Sequence, residues 1–476
     1  MATLLKPDVC VIGAGSGGLT VAAAVAAFGV PVVLIERGRM GGDCLNYGCV
    51  PSKSMLAAAK QAQRVSHSAR FGVANVDPQV DFDQVMQHVR DVIASIAPHD
   101  SVERFTELGV KVIQEEAHFR DAGTVVAGDY EIRARRFVIA TGSSPMVPPI
   151  AGLETTPYFT NETIFERTEK PEHLVVIGGG PIGLELAQAH RRLGARVSVV
   201  EAQTALGKDD PELASVVVET LREEGVKILE NAKVQRVESH GTSGVRIHVE
   251  RDGKPLTIEG SHLLVATGRR ANVGALALER AGIDFDPSGI KVSNKLRTTN
   301  RRVYAIGDVV SGGLQFTHVA NYHAGLVVRA LLFRLPAMEK RDIIPWVTYT
   351  DPELAHIGLT EADARKQGMA VTVLRSPLAE NDRARAERAT AGFIKLVVGR
   401  GGRILGASIV GSEAGELISF WSLAISRRMK IQDIAAYVAP YPTRSEIGKR
   451  AAIGYFSGMA AKPAVHGLIR FLRLFG

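Results

Sequence analysis

Two cysteines separated by four residues, Cys44 and Cys49, stand in the stretch Gly41-Gly-Asp-Cys-Leu-Asn-Tyr-Gly-Cys-Val-Pro-Ser-Lys-Ser54, and the 476-residue chain has only one other cysteine. A disulfide requires Cα atoms about 4.4–6.8 Å apart, which a short glycine-containing loop meeting a helix start can supply. A helix is expected from Ser52 onward, through Met55, Leu56 and a run of alanines. The positive end of a helix dipole lowers the pKa of a nearby thiol and makes it a usable nucleophile. The alternatives are a structural staple or two unreactive core cysteines. Scarcity of cysteine argues against a stapled framework, and a chain this long builds its core without one. The pair is therefore read as redox-active. Cys10, inside an apolar strand, reads as a small buried hydrophobe.

The elements that must position such a pair lie on both sides of it. Asp8-Val-Cys-Val-Ile12 is a short apolar strand that opens into Gly13-Ala-Gly15-Ser-Gly-Gly18, an apolar helix, and a second strand, Val32 to Ile35, ending in Glu36. This is the dinucleotide fingerprint in its strand–turn–helix–strand context. Gly13 and Gly15 allow the tight turn and the approach of backbone N–H groups to a pyrophosphate. Gly18 lets helix and strand pack, and Glu36 is placed to accept from a ribose.

The pattern recurs. His173 to Ile177 leads into Gly178-Gly-Gly180-Pro-Ile-Gly183, a helix through Glu185, and the strand Val197 to Val200 ending in Glu201. From first glycine to carboxylate the spacing is 23 residues in both copies. Two such units imply two dinucleotide sites, one held permanently and one exchanging. Glu201 would repel a 2′-phosphate, and no arginine follows at the next few positions, so the second site is expected to take NAD(H). Phe137 to Gly142, containing Thr141, and Leu263 to Gly268 are matching strand-to-glycine turns that close the units.

Composition sets the outer bounds. With 22% charged and 46% hydrophobic residues the chain reads as an ordinary globular enzyme. The net charge of +7 is scattered, with no Lys/Arg block interleaved with aromatics, which argues against nucleic acid as a partner. Met1 to Lys6 runs straight into an expected strand, so no secretory signal is read. The longest apolar run, Val21 to Ile35, is broken by Gly29 and Pro31 and falls short of the roughly 20 residues of a membrane span. A cytoplasmic protein is expected, and there a disulfide is catalytic more often than structural.

Gly-Gly-x-Cys-Leu-Asn-x-Gly-Cys-Val-Pro-Ser-Lys resembles the active-site signature of the class I pyridine nucleotide-disulfide oxidoreductases, a family that includes dihydrolipoamide dehydrogenase, glutathione reductase and mercuric reductase. The resemblance runs over roughly residues 6 to 460. It implies an α/β fold with two Rossmann-like domains, for FAD and NAD, and a C-terminal α+β dimerisation domain. The expected divisions are 1–154 with 275–344 for FAD, 155–274 for NAD, and 345–476 for the dimer interface. The resemblance further implies that Cys49 lies against the flavin and forms the charge-transfer thiolate while Cys44 meets the substrate. Lys53 and Glu185 would form an ion pair near the flavin. Arg302 to Asp308 resembles the second FAD motif, whose Asp308 holds the ribitol, and Gly42 and Ala117 join the FAD contacts on the same ground. Asp43 stands where many members have Thr, beside the flavin.

One departure bears on the substrate. Thiol-exchanging members carry His-Pro-Thr-x-x-Glu near the C-terminus, with the His as base and the Glu orienting it. Here the run is Tyr441-Pro-Thr-Arg-Ser-Glu446. A phenol with pKa of about 10 is a poor base at neutral pH. Tyrosine at this place is similar to mercuric reductase, but that enzyme's C-terminal cysteine pair has no counterpart after Cys49. The expected function is an FAD-dependent, NADH-linked oxidoreductase acting on a small disulfide, dithiol or other electron acceptor, as a homodimer and without a metal site. The other readings are a metal-ion or quinone reductase with the same relay, or a flavoprotein redox sensor. The tail from Gly467 to Gly476 mixes apolar residues with Arg470 and Arg473. Dimer packing or fraying is the expectation for it, with contact to a membrane surface as the alternative.

Overall fold

The computed structural model describes residues 2–241, 244–459 and 463–475. It divides into two compact units, one of residues 1–202 with 229–339 and one of 203–228 with 340–476.

The first unit contains both fingerprints. Its first sheet is parallel, in the order Val303–Ala305, Arg136–Ile139, Val9–Ile12, Val32–Ile35, Lys111–Ile113. Side chains alternate across a strand, so Val9 and Val11 enter one core while Cys10 and Ile12 enter the other. A parallel sheet covered on both faces explains the continuous apolar strands. The second copy repeats the arrangement, with Arg196–Val200, His173–Ile177 and Leu263's strand (His262–Val265) in parallel. An antiparallel three-stranded sheet, Ala232–His240, Gly244–Arg251 and Lys254–Gly260, completes it. The helical excursion expected between Asp77 and Val110 comprises Phe82–Ile96 and Val102–Glu107, capped by Asp81 and Ser101.

The second unit is built on a five-stranded antiparallel sheet, in the order Trp346–Thr348, Glu353–Gly358, Ile404–Gly411, Phe393–Val398, Thr372–Pro377. Helix Ala414–Ser426 packs on it through Ile418 and Trp421. This unit also takes residues 203–228. A buried cation ties this segment to the sheet. Lys395, 3% exposed, reaches Asp210 at 2.8 Å, Glu212 at 2.9 Å and Glu361 at 2.8 Å, and the Trp346 indole donates to Asp209 at 2.8 Å. A buried charge holds only where partners satisfy it, and two of its partners come from 203–228. Among the described residues no helix is long and apolar enough to cross a membrane.

Candidate active site

The two glycine turns share one geometry. Gly13 and Gly178 have φ of +104° and +114°, and a Cβ on either would lie 2.4 Å from the carbonyl oxygen of Ala140 or Ala266. At Gly18 and Gly183 a Cβ would lie 1.8 and 2.1 Å from the carbonyl oxygens of Gly13 and Gly178. Gly15 and Gly180 instead face open space and sit at the N-caps of helices Ser16–Ala27 and Pro181–Arg192, with no side-chain cap. The first helical N–H groups thus point at a site for an anion. Each acidic residue clasps its own turn: Glu36 accepts from Ala14 N–H at 2.6 Å and Glu201 from Gly179 N–H at 2.7 Å. These cradles fit two dinucleotide pyrophosphates. Thr141 and Asn272 brace the closing turn of the first unit, the Thr141 hydroxyl donating to the Asn272 carbonyl at 2.9 Å. Gly142 and Gly268, at φ +67° and +132°, make the two closing turns. Ala117 begins strand Ala117–Asp121 and is buried.

The cysteine stretch is fastened to the first turn. Gly41 N–H donates to the Ala14 carbonyl at 3.0 Å, and a Cβ on Gly42 would lie 2.7 Å from Gly15 Cα. Cys44 falls in the short helix Gly42–Asn46, and Cys49 is the first residue of Cys49–Ser66. The second helix begins three residues before the expected start at Ser52. The cysteines are free thiols in hydrogen-bonding contact. They are strongly unlike. Cys49 is held down at about 6, first by the hydrogen bond from Cys44, then by one from Thr317 and by the Lys53 charge, against partial desolvation. Cys44 is pushed far up, first by its bond to Cys49 and then by burial. The Thr317 hydroxyl lies 3.4 Å from Cys49 Sγ and opens the 17-residue helix Thr317–Phe333. Lys53 and Glu185 form an ion pair at 2.7 Å, with Glu185 buried.

Asp43, the departure beside the cysteines, has its own partners. Arg269 reaches it at 3.1 Å and Asn161 donates to it at 3.2 Å. The same arginine donates to the Ser143 hydroxyl at 2.7 Å, and Ser143 donates to Asp308 at 2.7 Å. Burial nonetheless leaves the Asp308 carboxyl above its usual range. Thr317, Arg269, Ser143 and Asn161 were not singled out from the sequence.

Tyr441 and Glu446 belong to the second unit. Tyr441 is 71% exposed, and its hydroxyl donates to Asp382 Oδ2 at 3.1 Å. That bond, then the Asp382 charge, raises the phenol above its ordinary value, so it keeps its proton. Glu446 opens helix Glu446–Gly454, with Arg450 at 3.6 Å from one oxygen. Its other oxygen is buried without a hydrogen-bond partner among the described residues.

Known proteins are similar to this chain. The profile of the pyridine nucleotide-disulphide oxidoreductases matches residues 7–324, and that of their dimerisation domain matches 344–452. A mercuric reductase from Bacillus cereus is 34% identical over 94% of this chain and 71% of its own length. A dihydrolipoyl dehydrogenase from Geobacillus stearothermophilus is also 34% identical, over 94% of this chain and 96% of its own. Among solved structures, the HOCl-induced flavoprotein disulfide reductase RclA from Escherichia coli superposes with a TM-score of 0.83 at 29% identity, covering 94% of this chain and 99% of that one. The recurring glycine cradles, the cysteine pair between them and the C-terminal sheet thus have one origin: the chain belongs to the pyridine nucleotide-disulphide oxidoreductases and is an FAD-dependent, pyridine nucleotide-linked enzyme.

Proposed function

We propose that this enzyme passes electrons from NADH to the Cys44–Cys49 pair, with Cys49 as the cofactor-facing thiolate and Cys44 as the thiol that meets the acceptor. The asymmetry of the pair carries the reading: one sulfur is stabilised as an anion at about 6 while the other keeps its proton. Bound FAD supplies the two-electron carrier between nicotinamide and sulfur. Gly13, Gly15, Gly18, Gly42, Glu36, Ala117, Thr141, Gly142 and Asp308 would hold it, and Gly178, Gly180, Gly183, Glu201 and Gly268 would hold the nicotinamide nucleotide. Lys53, fixed by Glu185, keeps a positive charge near the Cys49 sulfur. The functional division follows at 1–154 with 275–344, 155–274 and 345–476. The dimer would bring Tyr441 and Glu446 to the acceptor side of the pair. No base stands at position 441, so acceptors that need no proton taken from a substrate thiol are favoured.

RclA has also been solved as a Cu(II) complex. With the protonated Tyr441, that observation favours metal ions as a second acceptor class. Purified enzyme should be given NADH with lipoamide, glutathione disulfide, Hg²⁺, Cu²⁺ and quinones in turn. Sustained turnover with at least one is expected, whereas none with any would favour the redox-sensor reading.

Two predictions arise here. NADH is expected to exceed NADPH in kcat/KM, because Glu201 follows the strand Arg196–Val200 and holds its carboxylate at the second glycine turn, on Gly179 N–H. Like-charge contact costs several kcal/mol, so at about 1.4 kcal/mol per tenfold the ratio should be at least tenfold. A clear NADPH preference would mean that a basic residue elsewhere receives the phosphate. Secondly, Thr317→Val removes a hydrogen bond to the Cys49 thiolate. Such bonds to charged groups contribute about 1.5–3 kcal/mol, so the Cys49 pKa should rise by roughly 1–2 units. The pH profile of alkylation in NADH-reduced enzyme measures it. Thr317→Ser should restore the wild-type profile, and an unmoved profile in Thr317→Val would remove Thr317 from the site.

A further inference from the structure

Beyond residue 452, where the match to the dimerisation domain ends, the chain forms a separate helix, Pro463–Leu472, that continues as a turn through Leu474 and Phe475. The tail is therefore helical where fraying was one expectation, and none of its helical residues is buried. Its sequence sorts by face. Ala464, Leu468, Phe471, Leu472 and Phe475 fall at positions i, i+4, i+7, i+8 and i+11, the apolar stripe of an amphipathic helix. Leu468, Phe471, Leu472 and Phe475 are exposed by 56%, 55%, 55% and 74%. The rings of Phe471 and Phe475 pack edge to face 5.1 Å apart, so the stripe ends in one aromatic wedge. His466, Arg470 and Arg473 repeat at i, i+4 and i+7 on the opposite face. Ile469 and Leu474, the large apolar residues outside the stripe, flank the basic face on either side.

Charge selects the occupant. After Glu446 the chain has no acidic residue, while Lys449, Arg450, Lys462, Arg470 and Arg473 are all basic. An apolar face for a second copy of the chain would not call for cations alone on its flank. A helix lying in a lipid interface does: Phe and Leu enter the acyl boundary while arginines meet the phosphates. The helix is too short to span a bilayer, which needs about 20 residues, and no described helix qualifies as a span.

We propose that the segment 463–475 is an in-plane anchor that docks the enzyme on an anionic lipid surface. The test uses FAD-loaded full-length enzyme in flotation with vesicles of phosphatidylcholine, alone or with phosphatidylglycerol added. Flotation is expected with the anionic vesicles, weakening as salt rises because exposed charges are screened. Each arginine charge near such a surface strengthens binding roughly fivefold. Arg470→Gln with Arg473→Gln should therefore weaken it roughly 25-fold, and Leu468→Ser with Phe471→Ser should abolish it. NADH turnover with a soluble artificial acceptor should stay unchanged in both variants. No flotation with anionic vesicles at low salt, or equal flotation with both vesicle types, would overturn the proposal. So would a fall in the mass of the assembly, by light scattering, in the Leu468→Ser and Phe471→Ser variant, which would assign the face to a second copy of the chain.

Discussion

Cys49→Ser is expected to leave FAD bound and to lower NADH-driven disulfide reduction by at least about 10⁴-fold, the scale on which loss of a covalent nucleophile is measured. FAD retention follows because the cradle at Gly13, Gly15 and Gly18 and the Asp308 carboxyl involve no atom of Cys49. The reduced wild-type enzyme should show the long-wavelength absorption of a thiolate beside a flavin, and Cys49→Ser should lose it. Cys44→Ser should be as inactive but should keep that band, since the remaining sulfur is the stabilised one.

The pair's electrostatics sharpen this. The largest contribution to the low Cys49 value is the hydrogen bond from Cys44. A serine at 44 can still donate, whereas alanine cannot. The band in Cys44→Ser should therefore appear at lower pH than in Cys44→Ala. Thiolate accumulates as pH rises through its pKa, so removing the donor moves the appearance of the band upward. If Cys44→Ser loses the band and Cys49→Ser keeps it, the two sulfurs have the opposite roles.

How much of this was legible in sequence depends on distance along the chain. The glycine turns were readable because their constraints are local: Gly13 and Gly18 exclude a Cβ through contacts that the strand–turn–helix order itself creates. The sequence reading starts the cysteine helix at Ser52, after Pro51, whereas the helix begins at Cys49. Proline loses nothing in a first helical turn, where the N–H groups have no intrahelical partner, so the helix reaches back to Cys49 and aims its dipole at that thiol. Thr317 gave no local signal, since it meets Cys49 across 268 residues. Arg269 was equally silent, although it links Asp43 to Asp308. The tie between 203–228 and the C-terminal sheet includes Lys395, a lone lysine in an apolar strand with partners 183 and 185 residues away. Composition marks such a residue as unusual without naming what satisfies it.

Tyr441→His is expected to raise lipoamide turnover about 10²-fold or more, within the 10²–10⁴-fold range of general acid–base catalysis. In the wild type the phenol donates to Asp382 and is raised above its ordinary value, so at neutral pH it offers a proton and accepts none. Thiol exchange with a dithiol needs the reverse, a group that takes the substrate's proton. Electron entry from NADH to the cysteine pair needs no such group, so turnover with artificial acceptors should already be brisk and should change less than about threefold on substitution. Tyr441→Phe should leave the slow lipoamide rate unchanged, because the hydroxyl was not serving as a base. An imidazole at 441 would lie near Asp382 and Glu446, and Glu446 has one buried oxygen without a partner among the described residues. Both carboxylates stabilise the imidazolium, which places its pKa at or above the ordinary value of about 6.5. The gain should therefore be small in acid and grow as pH rises through that value, where the neutral base appears. Stopped-flow measurement of the two half-reactions separates the steps. Fast wild-type lipoamide turnover with no gain in Tyr441→His would show that another base serves and that Tyr441 only packs, and would place the enzyme among ordinary lipoamide dehydrogenases.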